Sequence, residues 1–394
     1  MSGTLNNIYN NVSLALHLHT EAMARLQEQV SSGSRINRVS DDSSAAYQVL
    51  GLDSQQNSLN NYIDNLSEAL STLEFSSTIY QNMISAVSET KVRLTQVSSG
   101  IYNEDARDRT AEGINEILEQ LVAFANTEHN GQYLFGGGNT STPPYLVERT
   151  NGEITSVTYQ GSFVNRNIEV APGLVSSAFR VGDDIFRSED RSAPVFLGDT
   201  GAMAGTGTSS VRGDTWLTVT GSAGNYDLSI DGGLSTFITD GTDTNLMLTN
   251  SITGEVLYVD TTKITGAGTD LVSIPGTYDL FNTFVSIRDI LRNEKNLPAS
   301  QLGQLQDVML KSLDEVNELL IQAEVSVGSK IGFLDDFKDS LKNLVYNAED
   351  EKTALQEADV AQIAIDLSRR EVLYQMSLSV AGKLMSMSLL DFIE

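Results

Sequence analysis

The chain has 394 residues, 25 Lys plus Arg against 52 Asp plus Glu, a formal net charge of −27 and no cysteine. Its length and 40% apolar content suffice for two or three ordinary cores and exclude a wholly disordered chain. The acidic excess argues against nucleic acid and anionic membranes as partners, because both are held by clustered Lys and Arg; lacking Cys, the chain has no disulfide, thiol nucleophile, Fe–S cluster or Cys-ligated zinc.

Leu5, Ile8, Val12, Ala15, His19, Ala22 and Leu26 recur at three- and four-residue steps, which predicts an amphipathic first helix. Gly33 is suited to end it in the left-handed conformation, and Ser40 with Asp41 and Asp42 to cap the next helix. The first 30 residues lack a basic segment followed by an apolar core, and no run reaches the roughly 18 apolar residues of a membrane span. Membrane insertion is therefore not expected, and any export would not use an ordinary cleaved signal peptide.

From Leu52 onward, Leu59, Leu66, Leu73, Tyr80, Val87 and Leu94 fall seven residues apart, with Ile63, Leu70 and Ile84 in a second row. This is a long heptad helix that needs a partner helix, and its core is expected at Leu59, Ile63, Leu66, Leu70 and Leu73. A third helix, opened by Asn103 with Glu104 and Asp105 in its first turn, carries Ile117, Leu118, Leu121 and Val122 and is expected to stop at Asn130-Gly131. Its narrow stripe can join the same bundle.

Residues 136–280 hold 21 of the 31 Gly and five of the six Pro, so the middle reads as short strands punctuated by turns. Ile154, Val157 and Tyr159 precede Gly161; Trp216, Leu217 and Val219 form another segment; Tyr226, Leu228 and Ile230 lead into Asp231-Gly232-Gly233. Leu246 to Leu248 and Val256 to Val259 flank Thr253-Gly254 as hairpin strands would.

The heptads resume at Leu313, Leu320, Val327, Leu334 and Leu341, with Met309, Val316, Ala323, Phe337 and Leu344 beside them. The two heptad seams can pair, with Leu313, Leu320, Leu334 and Leu341 in the core. A last seam runs through Val360, Ile363, Leu367, Tyr374, Leu378 and Ala381, and Leu389 and Leu390 extend an apolar end. Residues 1–50 carry 3 basic and 4 acidic side chains and residues 351–394 carry 4 and 7. Low net charge beside an apolar stripe suits helices that pack against many neighbouring copies, although an ordinary intramolecular helix pair has the same pattern.

The expected fold is therefore mainly α with an inserted β-rich domain, its long N- and C-terminal helices paired in a coiled-coil-like bundle. Residues 1–45 with 351–394 form terminal arms, 46–140 with 281–350 the heptad bundle, and 141–280 the Gly-rich β domain.

Catalytic constellations are missing from the sequence. His17 and His19 are two apart on a helix and cannot grip one metal, and His19 lies on the apolar seam. His129 sits beside Asn130-Gly131, where a capping or exposed role is expected. There is no Walker A sequence, and Gly136-Gly137-Gly138 runs into Thr142-Pro143-Pro144 and not into a helix, so it reads as a domain junction. Asp231, Asp240 and Asp243 lack EF-hand spacing and read as acidic turns. Arg212-Gly213-Asp214 spells an adhesion tripeptide and is read as a plain turn. No cofactor, metal or enzymatic activity is expected.

Val30-Ser31-Ser32-Gly33-Ser34-Arg35-Ile36-Asn37, followed by Asp41-Asp42, resembles the N-terminal signature of bacterial flagellins and their relatives. The resemblance continues through Leu59-Asn60-Asn61-Tyr62-Ile63-Asp64-Asn65 and Ala125-Asn126-Thr127, and resumes at Glu357-Ala358-Asp359-Val360-Ala361 and Leu389-Leu390-Asp391-Phe392-Ile393. It covers both flanks and not the middle. Within the family, Gln132-Tyr133-Leu134-Phe135-Gly136-Gly137 and the Asp-Phe-Ile-Glu ending are similar to the branch that joins the flagellar hook to the filament. Met376, Met385 and Met387 stand in a stretch that is often richer in Ala and Gln in that family.

The resemblance implies a non-enzymatic adaptor subunit that forms a ring with copies of itself, between a hook-associated protein on the hook side and flagellin on the filament side. It implies assembly through the terminal helices at Leu5, Ile8, Val12, Leu26, Arg35, Asn37, Val360, Ile363, Leu367, Tyr374, Leu378, Leu389 and Leu390. It also implies an export chaperone before secretion, passage through the flagellar export channel, and an extracellular place in the flagellum. A flagellin-like filament subunit is the alternative within the family, and a secreted adhesin or binding module the alternative outside it.

Overall fold

The computed structural model describes residues 2–99 and 104–393, and the side chains within them apart from 2–6, 8–9, 98–99 and 384–393. Asn103, the expected opening of the third helix, lies outside the described residues. The chain is mainly helical with a β-rich insertion. It begins with α1 (Ser2–Ser32), α2 (Ser43–Ser99) and α3 (Glu104–Ala125). There follow β1 (Glu128–His129), β2 (Gln132–Tyr133), β3 (Tyr145–Thr150), β4 (Glu153–Tyr159), β5 (Arg166–Ala171), β6 (Leu174–Phe179) and α4 (Gly182–Phe186). Next come β7 (Val195–Leu197), β8 (Met203–Ala204), β9 (Gly213–Ser222), β10 (Asn225–Ser229), β11 (Phe237–Thr239), β12 (Leu246–Thr249), β13 (Val256–Asp260) and β14 (Gly268–Ile274). The helices α5 (Leu280–Arg292), α6 (Ala299–Gln356) and α7 (Val360–Ile393) close the order. Two compact units are formed, one from residues 1–64 with 337–394 and one from residues 65–336.

In the first unit α1 packs along α7, and the start of α2 meets the end of α6. Leu52, Leu341 and Ala348 are buried there. Gln56 donates to Glu349 at 2.6 Å, and Lys352 pairs with Asp53 at 2.8 Å. Leu344, expected beside the seam, is exposed, and Val345 is half-buried in its stead. The reason is helical drift: at 3.6 residues per turn a strict seven-residue row rotates by about 20° per heptad.

In the second unit Leu66, Leu70, Leu73, Tyr80, Val87 and Leu94 of α2 are buried, as are Leu313, Val316, Leu320, Val327 and Leu334 of α6. Gln81 donates to Glu324 at 2.8 Å, and Lys91 pairs with Asp314. Ile114, Leu118 and Leu121 are the buried stripe of α3, which packs against α5. α5 is a separate helix because Asp279 caps it, accepting from the amides of Phe281 and Asn282, while Asn293 stops it at φ 53°.

Asn130-Gly131 does not end α3, which stops at Ala125. Asn130 (φ 52°) and Gly131 (φ 73°) form the two-residue turn between β1 and β2, because that turn needs positive φ at both central positions. His129 is thereby carried onto Phe75, ring centroids 4.9 Å apart, with Ser71 Oγ 3.3 Å from its Nε2. It is half-buried, and no helix is capped by it.

The β-rich region holds two antiparallel sheets ordered β11-β10-β9-β14-β7 and β12-β13-β8, with β3-β4 and β5-β6 as separate hairpins. Alternate residues Leu217, Val219, Tyr226, Leu228, Val272 and Ile274 of the larger sheet share one buried cluster with Leu248, Leu257 and Val259 of the smaller. This is the period-two burial of two sheets packed face to face. The glycine run at 136–138 ties the hairpins together: Gly137 donates to the Arg180 carbonyl at 3.1 Å and Gly138 to that of Val164 at 2.6 Å. Gly137 has φ +60°, and a Cβ there would collide with the Ser162 carbonyl oxygen, so only glycine fits without strain.

Arg212-Gly213-Asp214 is folded into the start of β9. Arg212 pairs with Glu189 at 2.8 Å, Gly213 turns at φ 58°, and the Asp214 carboxylate accepts from Ser286 at 2.8 Å and Tyr278 at 3.3 Å. Asp231 accepts from the amides of Ser235 and Ser251 at 2.9 and 3.1 Å. Hydrogen bonds, foremost from the Ser235 amide, hold its carboxyl well below the usual range.

Candidate assembly surface

The residues that the sequence singled out for assembly lie in the first unit, on two helices and the corners that join them to the rest. Gly33 leaves α1 at φ 69°, its amide donating to the Gln29 carbonyl at 2.9 Å, as a left-handed helix stop does. Asp42 caps α2 by accepting from the Ala45 amide at 3.0 Å. Asp359 caps α7 in the same way, accepting from the Gln362 amide at 3.0 Å.

These corners are laced together. The Arg35 amide donates to the Gln356 carbonyl at 2.7 Å, and Ala358 donates to the Gly33 carbonyl at 3.1 Å. Arg35 also reaches the Leu355 carbonyl at 3.1 Å and Asp42 at 3.0 Å. Asn37 fixes the loop locally, its amide donating to Asp41 at 3.1 Å and its side chain to the Ser34 carbonyl at 3.3 Å. Asp41 further pairs with Arg25. Both carboxyls are held below the usual range, Asp41 chiefly by its hydrogen bond from Arg25 and Asp42 chiefly by that from the Ala45 amide.

Along the helices the predicted residues separate. Val12, His19 and Leu26 of α1 are half-buried, as are Leu367 and Tyr374 of α7, and Ile363 is buried; these line the two packed helices. Val360 and Leu378 are exposed. The side chains of Leu5, Ile8, Leu389 and Leu390 lie outside the described residues. Among the expected bundle residues of α2, Leu59 and Ile63 are half-buried, whereas Leu66, Leu70 and Leu73 are buried.

A second apolar stripe escaped the sequence reading. Ile365 and Met376 are 62% and 61% exposed, and Val372 and Val380 are also exposed. Positions 365, 372, 376 and 380 share one face of α7, roughly opposite the face of Ile363, Leu367 and Tyr374. Leu14 and Leu18 are likewise exposed on α1, off the face of Val12 and His19. The signal was present in the sequence as apolar residues all round α7, but a search for one seam finds only the stronger period. A helix that covers one stripe inside its own subunit and leaves another uncovered can pack against further helices.

No helix among the described residues is long and apolar enough to cross a membrane. Residues 4–140 match the family model described as the bacterial flagellin N-terminal helical region. The chain is similar to flagellar hook-associated protein 3 of Escherichia coli strain K12, 29% identical over 123 residues, which are 31% of this chain and 39% of that protein. It is similar to the protein of that name from Salmonella typhimurium, 28% identical over 122 residues, 31% of this chain and 38% of the relative. The chain thus spans about two fifths of the length of these curated relatives. Its fold is similar to that of flagellar hook associated protein-3 from Legionella pneumophila, with TM-score 0.53 and 18% identity over 77% of this chain and 98% of that one. FlgL of Xanthomonas campestris gives TM-score 0.51 and 19% identity over 77% and 99%. Residues 4–140 are therefore similar to the bacterial flagellin N-terminal helical region, and the fold is similar to that of flagellar hook-associated proteins.

Proposed function

We propose that this protein is a structural subunit of the bacterial flagellum, an adaptor at the junction of hook and filament that assembles through its terminal helices. The observation that carries this reading is the uncovered stripe of Ile365, Val372, Met376 and Val380 on α7, behind the stripe that α7 packs on α1. Apolar surface of this kind gains stability when neighbouring subunits remove it from water. The similarity to proteins named flagellar hook-associated protein 3 supports the position in the flagellum.

On this reading, copies of the chain form a ring, with a hook-associated protein against one surface of the arms and flagellin against another. The laced corners at residues 33–42 and 355–359 set the angle at which the arms are presented. Leu5, Ile8, Leu389 and Leu390 belong to the same proposal as assembly residues. Before secretion the apolar stripe would be covered by an export chaperone, and the chain would leave through the flagellar export channel. The division into terminal arms, heptad bundle and outward β domain belongs to the same proposal.

Antibody labelling of intact flagella tests the placement. Label confined to the hook–filament boundary is the expected result; label along the whole filament would favour a flagellin-like subunit. An adhesin would keep its binding activity in the isolated β region, while an adaptor lacking residues 141–280 should still assemble.

A further inference from the structure

In the second unit, β3 and β4, α4, the start of β9 and α5 enclose a cleft of about 510 Å³, a size typical of small-ligand sites. Tyr145, Trp216, Asp183, Asp214, Asp279 and Asp289 contribute to its walls. The two arginines that line it are already engaged, Arg187 with Asp183 at 2.5 Å and Arg212 with Glu189 at 2.8 Å. Asp289 pairs with Arg288 at 2.8 Å, which leaves Asp214 and Asp279 without a cation of their own among the described ion pairs. Burial pushes all four of these aspartates above the usual range, because the charged form is poorly solvated there.

Two polar atoms in the wall are also unpaired. The Tyr145 hydroxyl and Thr283 Oγ1 have no hydrogen-bond partner, although the residues are only 4% and 3% exposed. Buried polar groups are almost always partnered in folded proteins. Burial above all pushes the Tyr145 phenol up, and the nearby charges of Asp279 and Asp183 add to that. Asp279 takes both of its capping bonds through Oδ1, so its capping role engages one oxygen.

We propose that this cleft binds an organic cation, a guanidinium or ammonium group, with the Asp279 carboxylate and the Tyr145 and Thr283 hydroxyls as its acceptors and Trp216 as an aromatic wall. Carboxylate pairing and the face of an aromatic ring both favour such a head group. No group of three or more His, Cys, Asp or Glu among the described residues could hold a metal ion, so the donor set suits an organic cation better than a bare metal. The head group could come from a small free molecule or from an Arg or Lys side chain of a protein partner.

Trp216 is the one tryptophan of the chain, so its fluorescence in the full-length protein reports on this cleft. Argininamide and its isostere citrullinamide, both Nα-acetylated so that the first carries only the guanidinium charge and the second none, are titrated in parallel with a blocked Gly-Gly-Arg-Gly-Gly peptide. Argininamide should give a saturable change with a half-saturation at least tenfold lower than citrullinamide. A peptide half-saturation as low as that of argininamide assigns the side chain of a protein partner, and one tenfold higher assigns a free cation; both uphold the site. Asp279→Asn keeps a capping acceptor and removes the charge, and Tyr145→Phe removes only the hydroxyl. They should raise the half-saturation about tenfold and threefold; if the Asn variant fails to fold, Tyr145→Phe carries the test. Equal binding of citrullinamide, no saturation by argininamide at 50 mM, or unchanged affinity in a folded variant overturns the proposal.

Discussion

Arg35 donates through Nη2 to the carbonyl of Leu355 at 3.1 Å, a bond between residues 320 positions apart in the chain. It ties the exit of α1 to the last turn of α6, just before α7 begins. The same side chain holds Asp42, the cap of α2, so one guanidinium serves both corners of the first unit.

Arg35→Ala should therefore loosen the corners without unfolding the helices they join. Amide hydrogen exchange should accelerate at residues 33–42 and 355–359, with little change in helical circular dichroism. Exchange rates equal to those of the parent protein would mean that the backbone bonds alone hold the joint.

Leu66 is fully buried on the α2 seam. Leu66→Asp places a carboxylate where no cation waits, at several kcal/mol or by forcing its protonation. A loss of ~3 kcal/mol corresponds to a fall in Tm of roughly 6–12 °C for a unit of this size. An unaltered Tm would show that this face of α2 does not carry the core.

Ile365→Glu and Met376→Glu act on the uncovered stripe of α7. Exposed substitutions of this kind change stability by about 0.5 kcal/mol or less, so the monomer should melt as before. Incorporation into flagella should be lost, because each added charge would be buried between subunits. Normal incorporation of the double variant would remove α7 from the assembly surface.

Asp279 gives a pH dependence with a defined sign. Burial raises its carboxyl from 3.8 to about 6, so the unfolded chain releases this proton first as pH rises. The folded state then loses relative stability between about pH 4 and 6, on the order of 2 kcal/mol. Asp279→Asn removes that slope while keeping the cap. Unfolding in urea at pH 4.5 and 7.5 checks it: the difference between variant and parent should shift in the variant's favour at the higher pH. Parallel profiles would mean that the carboxyl is not buried against solvent as the fold requires.

The heptads at Leu66, Leu73, Leu313 and Leu320 were legible in sequence because a 3.5-residue period is a local property that any window reveals. Hairpin strands such as Leu246–Thr249 and Val256–Asp260 were legible for the same reason. The caps at Asp42 and Asp359 also follow from neighbouring residues alone. Asn130-Gly131 misled because one dipeptide serves both as a helix stop and as a tight hairpin turn, and only the pairing of Glu128 with Tyr133 selects between them.

What the sequence by itself determined is the helical flanks and the strand-rich middle, one apolar stripe on each long helix, and the scarcity of charge at the two ends. Tertiary structure alone decided that Arg35 meets Leu355, that α7 turns Ile363 inward and leaves Ile365 uncovered, and that Tyr145, Asp279 and Trp216 share one cleft. The physical reason is range: periodicity and capping depend on residues within a few turns, whereas these relationships depend on which distant surfaces exclude water together.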